Sequence, residues 1–452
     1  MEKLSLSEVA QVTNAEKNSD AELYFEGIST DSRKIMTNML FVALKGENFN
    51  GESFAKDAVK NGASAVLVSK TAKRIPDGVV LKVDDTLTAY RQIAGAWRNR
   101  FKIPVIAVTG SNGKTTTKDL TAAALNSLGH VQKTSGNFNN EVGVPMTLLG
   151  LSEKHQAAVV EIGMRGIGQI ESLAEIVKPT IGIVTNVSEA HIELLGSIEN
   201  IARAKGELVE AIPPGGTIIL NADNRHTAEM KNLARDGVKV ITYGLENPAD
   251  LMAKDILIGS VATEFILIYN GAEYDFEIPI IGRHNVSNAL AAIAAGLTLG
   301  LSLEDIQRGI STLTTTKMRF EVIRRDGLTI INDAYNASPA SMRVAIKTSS
   351  EIYDGRKIAV LGDMMELGDI SEKVHREIGE ELVENKFDVL ITLGELGKFI
   401  AAGARDAGLK EVYTFDTHED AAKKILEMVH DGDTILFKAS HVMHMDKIIE
   451  LI

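Results

Sequence analysis

Residues Thr109 to Lys118, TGSNGKTTTK, limit this chain more than any other stretch, because they set a glycine-rich turn between a strand and a helix. The β-branched run Val105-Ile106-Ala107-Val108 follows Pro104, and the apolar residues from Lys118 to Leu128 recur at helical spacing and stop at Gly129. In such a turn Gly110 and Gly113 let the backbone approach an anion, successive N–H groups point inward, and the helix dipole adds partial positive charge. Lys114 is predicted to reach terminal phosphates, Thr115 to offer its hydroxyl to Mg²⁺, and Ser111, Asn112 and Thr116 to complete the cradle. Val108 stands where the general pattern has its first glycine, so the loop is a shortened G-x-x-G-K-T. A nucleoside triphosphate is the expected ligand. The plainer reading is a glycine turn that merely starts a helix.

Length sets the scale around this loop. A chain of 452 residues exceeds one hydrophobic core, and 44% apolar content suffices to bury several. Short β-branched runs alternate with helical stretches throughout, the signature of mainly parallel sheets covered on both faces, with ligands at the carboxyl ends of the strands. The sequence therefore predicts an α/β protein of three domains. A small α/β domain spans 1–84, a central P-loop domain with a mainly parallel sheet spans 85–314, and a doubly wound, Rossmann-like domain spans 315–452. Within the second, Glu264 to Ile280 alternates around Asn270-Gly271 and reads as a hairpin.

Composition excludes several chemistries. There is no cysteine, which removes disulfides, thiolate nucleophiles and thiolate metal sites together, so any metal must sit on oxygen and nitrogen. A net charge of -13 argues against nucleic acid and anionic membranes as partners. No stretch has the length and apolarity of a signal peptide or a membrane span, which leads us to expect a cytoplasmic protein.

Other candidates follow from position. Glu161 ends the apolar run Ala158-Val159-Val160, which predicts a carboxylate on the same rim as the phosphate loop, where a Mg²⁺ ligand is needed. His191 ends the strand-exit segment from Thr185, and Lys205 lies in the helical pattern Ile198 to Leu208. By themselves, a loop histidine and a helix lysine read as polar surface.

Several ordered segments together resemble the Mur ligase family: TGSNGKT, EIGMRGIGQI from Glu161, TNVSEAHIELLGSIENIARAKGE from Thr185, GRHNVSNALAA from Gly282 and MRFE from Met318. STDSRKI from Ser29 and LFVALKGENFNG from Leu40 resemble the family's first domain, and NDAYNASPASM from Asn332 and LGDMMELG from Leu361 its last. The resemblance implies an ATP-dependent amide ligase of bacterial cell-wall precursor synthesis. Its implied partners are a UDP-N-acetylmuramoyl-tripeptide and D-alanyl-D-alanine, handled by a monomer. It further implies two Mg²⁺ sites, one on Thr115 and Glu161 and the other served by His191 and Lys205. A bare ammonium cannot ligate a cation, so Lys205 would act as a carbamate. By the same resemblance Asn288 lies near the adenine, Arg319 reaches the phosphates, and Asp333 contributes to the nucleotide site. Tyr335 and Asn336 fall on the incoming dipeptide, Asn139 and Asn140 on the precursor, and Ser32 on its uridine diphosphate. For the last three, turn asparagines and a helix-capping serine are the plain alternatives.

The chain departs from the family pattern at Asn50-Gly51-Glu52, at Ser338, and at Ala439 and His441 near the end. Of the rivals, a sister ligase adding the third amino acid would carry an Asp-Asn-Pro motif in its last domain, and none is present. A folylpolyglutamate synthetase would begin close to its phosphate loop. A GTPase switch has only Asn385-Lys386-Phe387-Asp388 in its favour, a guanine-type motif lying far from the phosphate-loop domain.

Overall fold

The computed structural model describes residues 3–46, 49–73, 77–313 and 316–452. The expected division at 314/315 falls on Thr314 and Thr315, outside the described residues.

Three larger sheets order the chain. The central one has nine strands among the described residues, running from one edge as Ala272–Ile278, Thr263–Tyr269, Leu251–Ile258, Lys239–Gly244, Thr217–Asn221, Ile181–Val184, Val105–Thr109, His155–Glu161 and His130–Lys133. Strands from Leu251–Ile258 to His130–Lys133 pair in parallel, and the first three form the antiparallel edge. The hairpin turns at Asn270-Gly271, both with positive φ (50° and 76°), as a two-residue turn matched to strand twist requires.

Alternation along a buried parallel strand sends neighbouring side chains to opposite faces. Val105 and Ala107 join one core, with Tyr90, Ile93 and Trp97 of helix Thr86–Arg98. Ile106 and Val108 join the other, beneath helix Arg283–Thr298. The first core also takes in Leu40, Val42, Leu67 and Leu81 from a five-stranded sheet built from residues 16–83. The first and central sheets thus share continuous apolar packing.

The third sheet has six strands, ordered Glu321–Arg325, Leu328–Asn332, Thr434–Lys438, Lys357–Gly362, Val389–Leu393 and Glu411–Phe415, with only the first antiparallel. Its two faces carry separate cores, one holding Leu361 and Leu436 and the other Val360 and Phe437. The Asn385 to Asp388 segment turns the chain into Val389–Leu393, with Lys386 at φ 57° and the Asp388 carboxylate accepting from the Lys357 N–H at 2.7 Å. That role is structural and needs no nucleotide. Among the described residues no helix is long and apolar enough to cross a membrane.

Candidate active site

The phosphate loop leaves strand Val105–Thr109 and enters helix Lys114–Ala124. Both of its glycines are imposed by neighbours: a Cβ on Gly110 would lie 1.8 Å from Thr185 Oγ1, and one on Gly113, at φ +78°, 2.5 Å from Asn288 Oδ1. The exit of the adjacent strand holds the loop. Ser111 N–H donates to the Asn186 carbonyl at 2.8 Å, Asn112 N–H to Asn186 Oδ1 at 2.9 Å, and Thr185 Oγ1 to the Asn112 carbonyl at 2.6 Å. Lys114 Nζ folds back on the loop, donating to the carbonyls of Gly110 (2.7 Å) and Ser111 (3.1 Å). Burial lowers its pKa, Glu161 opposes that shift, and Arg319 adds to it.

Glu161 ends the next strand and is 1% exposed. Its Oε1 accepts from Asn139 Nδ2 at 2.7 Å, whereas its Oε2 is buried with no hydrogen-bond partner and has the Lys118 ammonium 4.0 Å away. A buried carboxylate oxygen with no donor and only this long ionic contact is costly, and a closer cation would offset that cost. Arg319 Nη2 donates to Thr115 Oγ1 at 3.0 Å, and its guanidinium stacks 4.0 Å from the centre of the Tyr335 ring.

His191 sits at φ 68° before the short helix Ile192–Leu195, and its Nδ1 pairs with the Glu366 carboxylate. Glu366 also binds Arg165, and the His191 hydrogen bond, helped by Arg165 and opposed by burial, pulls its pKa down to about 2. Lys205, on helix Ile198–Ala211, is 2% exposed and has no hydrogen bond or ion pair among the described residues. Burial, reinforced by the like charge of Lys114, drives its ammonium well below the ordinary lysine range.

The third sheet closes the site. Asp333 Oδ1 accepts from the Phe320 N–H at 3.0 Å, and Lys438 Nζ donates to Asp333 Oδ2 (2.5 Å) and to the Asn336 carbonyl (3.1 Å). Ser338 Oγ donates to Asn112 Oδ1 at 2.9 Å, so this sheet touches the phosphate loop directly.

One cleft of about 1240 Å³ is lined by Gly110, Ser111, Asn112, Gly113, Lys114, Thr115 and Thr116 of the loop. Glu161, His191, Lys205 and Asn288 of the central sheet's helices and strand ends join them, as do Asn139, Asn140, Arg319, Asp333, Tyr335 and Asn336. Asn288 is braced, its Oδ1 accepting from Thr117 Oγ1 at 3.2 Å and its Nδ2 donating to Asn285 Oδ1 at 3.1 Å. Asn140 also fits its plain reading, since its Oδ1 accepts from the N–H of Gly143 at 2.9 Å at the start of helix Gly143–Leu149. Ser32 is absent from the wall of this cleft. It opens the turn Ser32–Lys34 in the first sheet's region, 9% exposed, where Asp31 rather than Ser32 is the cap. Sequence reasoning missed Asn186, Arg165, Glu366 and Lys438. Lys438 had a signal, a lysine ending the buried strand Thr434–Lys438, whereas Glu366 is 175 residues from its partner.

Among the described residues no three His, Asp or Glu side chains cluster as a ready-made metal cage. A magnesium site here would rest on Glu161, the Thr115 hydroxyl, substrate phosphate and water, which suits an ion that keeps much of its water. The orphaned Glu161 oxygen fits such an ion. Lys205 as a plain amine does not fit a second one, although its uncharged state is the form that reacts with CO₂.

A phosphate loop at the carboxyl edge of a parallel sheet, closed by an arginine and a carboxylate from a separate doubly wound sheet, defines a multidomain P-loop nucleotide enzyme. Family comparison narrows that class. The Mur ligase middle domain matches residues 108–296, the Mur ligase glutamate ligase domain 318–441, and the Mur ligase family catalytic domain 24–98. This chain belongs to the Mur ligase family. It is 40% identical to the UDP-N-acetylmuramoyl-tripeptide--D-alanyl-D-alanine ligase of Bacillus subtilis, over 94% of this chain and 92% of that one. With the Escherichia coli enzyme of the same name it shares 34% identity over 99% and 97%. Its fold is similar to MurF from Acinetobacter baumannii, with TM-score 0.91, 32% identity and coverage of 100% and 98%. A MurF ligase from Thermotoga maritima solved in complex with ADP gives TM-score 0.83 at 27% identity, covering 94% and 96%.

Proposed function

We propose that this protein uses ATP to join D-alanyl-D-alanine to the terminal carboxylate of a UDP-N-acetylmuramoyl-tripeptide, in the cytoplasmic stage of peptidoglycan precursor synthesis. The observation that carries this reading is the convergence of Lys114, Thr115, Glu161, His191 and Lys205 with Arg319, Asp333 and Tyr335 on one cleft. The names of the relatives support it, and so does the ADP held by the Thermotoga maritima ligase.

A carboxylate does not acylate an amine at neutral pH, so it must first gain a leaving group. In the proposed reaction the peptide carboxylate attacks the γ-phosphorus of ATP, ADP departs, and the dipeptide amine then displaces phosphate from the acyl phosphate. Two anions meet in the first step, and the chain's part is to neutralise and align them. Lys114 exchanges its two loop carbonyls for phosphate oxygens. Arg319, stacked on Tyr335, delivers a second fixed positive charge beside Thr115. Magnesium, when bound, would screen the phosphates from Thr115 and Glu161 on one side and from His191 and carbamylated Lys205 on the other. Lys438 holds Asp333 and the Asn336 carbonyl in place, which steadies the segment assigned to the incoming dipeptide. The first sheet, with Ser32, is assigned to the UDP portion, outside the catalytic cleft. Three units suit this chemistry because their closure excludes the water that would hydrolyse an acyl phosphate.

The test is an incubation with ATP, Mg²⁺, D-alanyl-D-alanine and either the L-lysine or the meso-diaminopimelate tripeptide, reading phosphate release and product mass. Stoichiometric pentapeptide supports the proposal. Phosphate release without an amide product, from both tripeptides, refutes it.

A further inference from the structure

The loop after strand Lys357–Gly362 reaches across to the central sheet's region and ends its reach at Glu366. Oε2 of this residue pairs with His191 Nδ1, its other oxygen takes Arg165 Nη2, and its carbonyl accepts from the Glu193 N–H at 3.2 Å. Gly368 packs against Glu193, where a Cβ would already be at 3.4 Å. Both members of the central pair have left-handed backbones, His191 at φ 68° and Glu366 at φ 61°. Side chains of this type adopt that region at a cost, which persists where the surroundings enforce it.

The loop is itself fixed from beneath. Met364 N–H donates to Nε2 of the fully buried His375, whose Nδ1–H donates to the Ser371 carbonyl at 2.7 Å, and Met365 N–H donates to Ser440 Oγ at 3.0 Å. Glu366 is therefore a carboxylate held rigidly by one sheet and spent on an imidazole belonging to another.

We propose that Glu366 is a positioning residue that commits His191 Nδ1–H to its own carboxylate and leaves Nε2 as the bare nitrogen, so that docking of the third sheet completes the central sheet's cation-binding edge. An imidazole has one donor and one acceptor nitrogen when neutral, and a carboxylate on Nδ1 dictates which is which. Arg165 shares the carboxylate and keeps it from rotating off the ring. The inference rests on the reading of His191 as a residue serving a cation, and it makes ligation competence depend on contact between the two sheets.

Full-length protein carrying ¹⁵N-histidine separates the possibilities, with His191 assigned by the signal lost in His191→Asn. The native protein is expected to show the Nδ1–H tautomer in two-bond ¹H–¹⁵N correlation spectra. In Glu366→Ala, which removes the acceptor, that preference is lost and kcat falls about ten- to hundredfold, while the KM for ATP stays within about twofold; Glu366→Asp recovers part of the rate. A tautomer unchanged in Glu366→Ala overturns the proposal, and so does a kcat within about twofold of native. If the native protein makes no pentapeptide, the ligase reading fails by itself, and the spectra still decide whether Glu366 sets the ring.

Discussion

Asn139 donates its side-chain amide to Oε1 of Glu161 across 2.7 Å, whereas Oε2 of the same carboxylate is buried with no hydrogen-bond partner and only the Lys118 ammonium 4.0 Å away. The asymmetry leaves one oxygen held by the protein and the other without a donor, which is the oxygen the proposed magnesium would use.

Glu161→Gln tests that division. Without a cation the substitution removes a buried carboxylate whose Oε2 has no hydrogen-bond donor and only a long contact to Lys118, which keeps Asp119 at 3.6 Å, so the melting temperature is expected to stay level or rise. With ATP and Mg²⁺, kcat/KM is expected to fall at least about hundredfold and the half-saturating Mg²⁺ concentration to climb. Paired thermal melts and Mg²⁺ titrations check both signs, and a destabilised variant of full activity contradicts the assignment.

Gly113→Ala places a methyl group 2.5 Å from Asn288 Oδ1 at a φ of +78°. The backbone term alone costs about 1–2 kcal/mol, and the clash adds to it. In Asn288→Ala/Gly113→Ala the clash is gone and the backbone term remains, so denaturant midpoints should show partial recovery. Complete recovery would mean that the left-handed turn itself carries no strain.

Lys205 is expected to carry a carbamate when CO₂ is present, since burial, reinforced by Lys114, lowers its pKa and so shifts the amine toward the nucleophilic form. Activity in CO₂-depleted buffer is predicted to drop and to return with bicarbonate, and Lys205→Met to be inactive and insensitive to it. Full activity in Lys205→Ala, together with plain lysine in ¹³C-bicarbonate spectra, would defeat this prediction.

His284 offers a pH test away from the proposed cation ligands. Burial lowers its pKa from 6.5 to about 4, with Asp333 opposing and Lys438 reinforcing the shift. Between those two values the unfolded chain binds the proton and the folded one does not, so folding stability falls as pH drops from 6.5 to about 4. Urea midpoints across that window are expected to decline less steeply in His284→Asn than in the native protein. Parallel slopes would remove His284 as the cause.

What the sequence made legible was local. The phosphate loop, the Asn270-Gly271 hairpin and the βα rhythm each follow from residues within a few positions of one another, and the parallel sheets announce themselves through runs such as Val105 to Val108. Strands His130–Lys133, Glu321–Arg325 and Glu411–Phe415 lie at sheet edges, where less of each strand is buried and the apolar signal thins. The interior strands Lys239–Gly244 and Leu251–Ile258 escaped as well, because polar residues interrupt their apolar runs. The same limit applies to the cleft. Lys114, Thr115 and Glu161 could be read from motif and strand end, and family resemblance drew in His191, Lys205 and Arg319. The Glu366–His191 and Ser338–Asn112 contacts join residues 175 and 226 positions apart, and no spacing rule reaches that far.

Lys114 in its folded-back pose has consequences for which molecules the loop retains. Its ammonium already has two carbonyl acceptors, so a newcomer gains only the difference between those contacts and its own. A neutral group improves little on a carbonyl as an acceptor, whereas a polyphosphate brings charge-assisted hydrogen bonds that are roughly twice as strong. The turn thereby sets a bar that rises as the charge brought to it falls, because the ammonium is already engaged by two carbonyls.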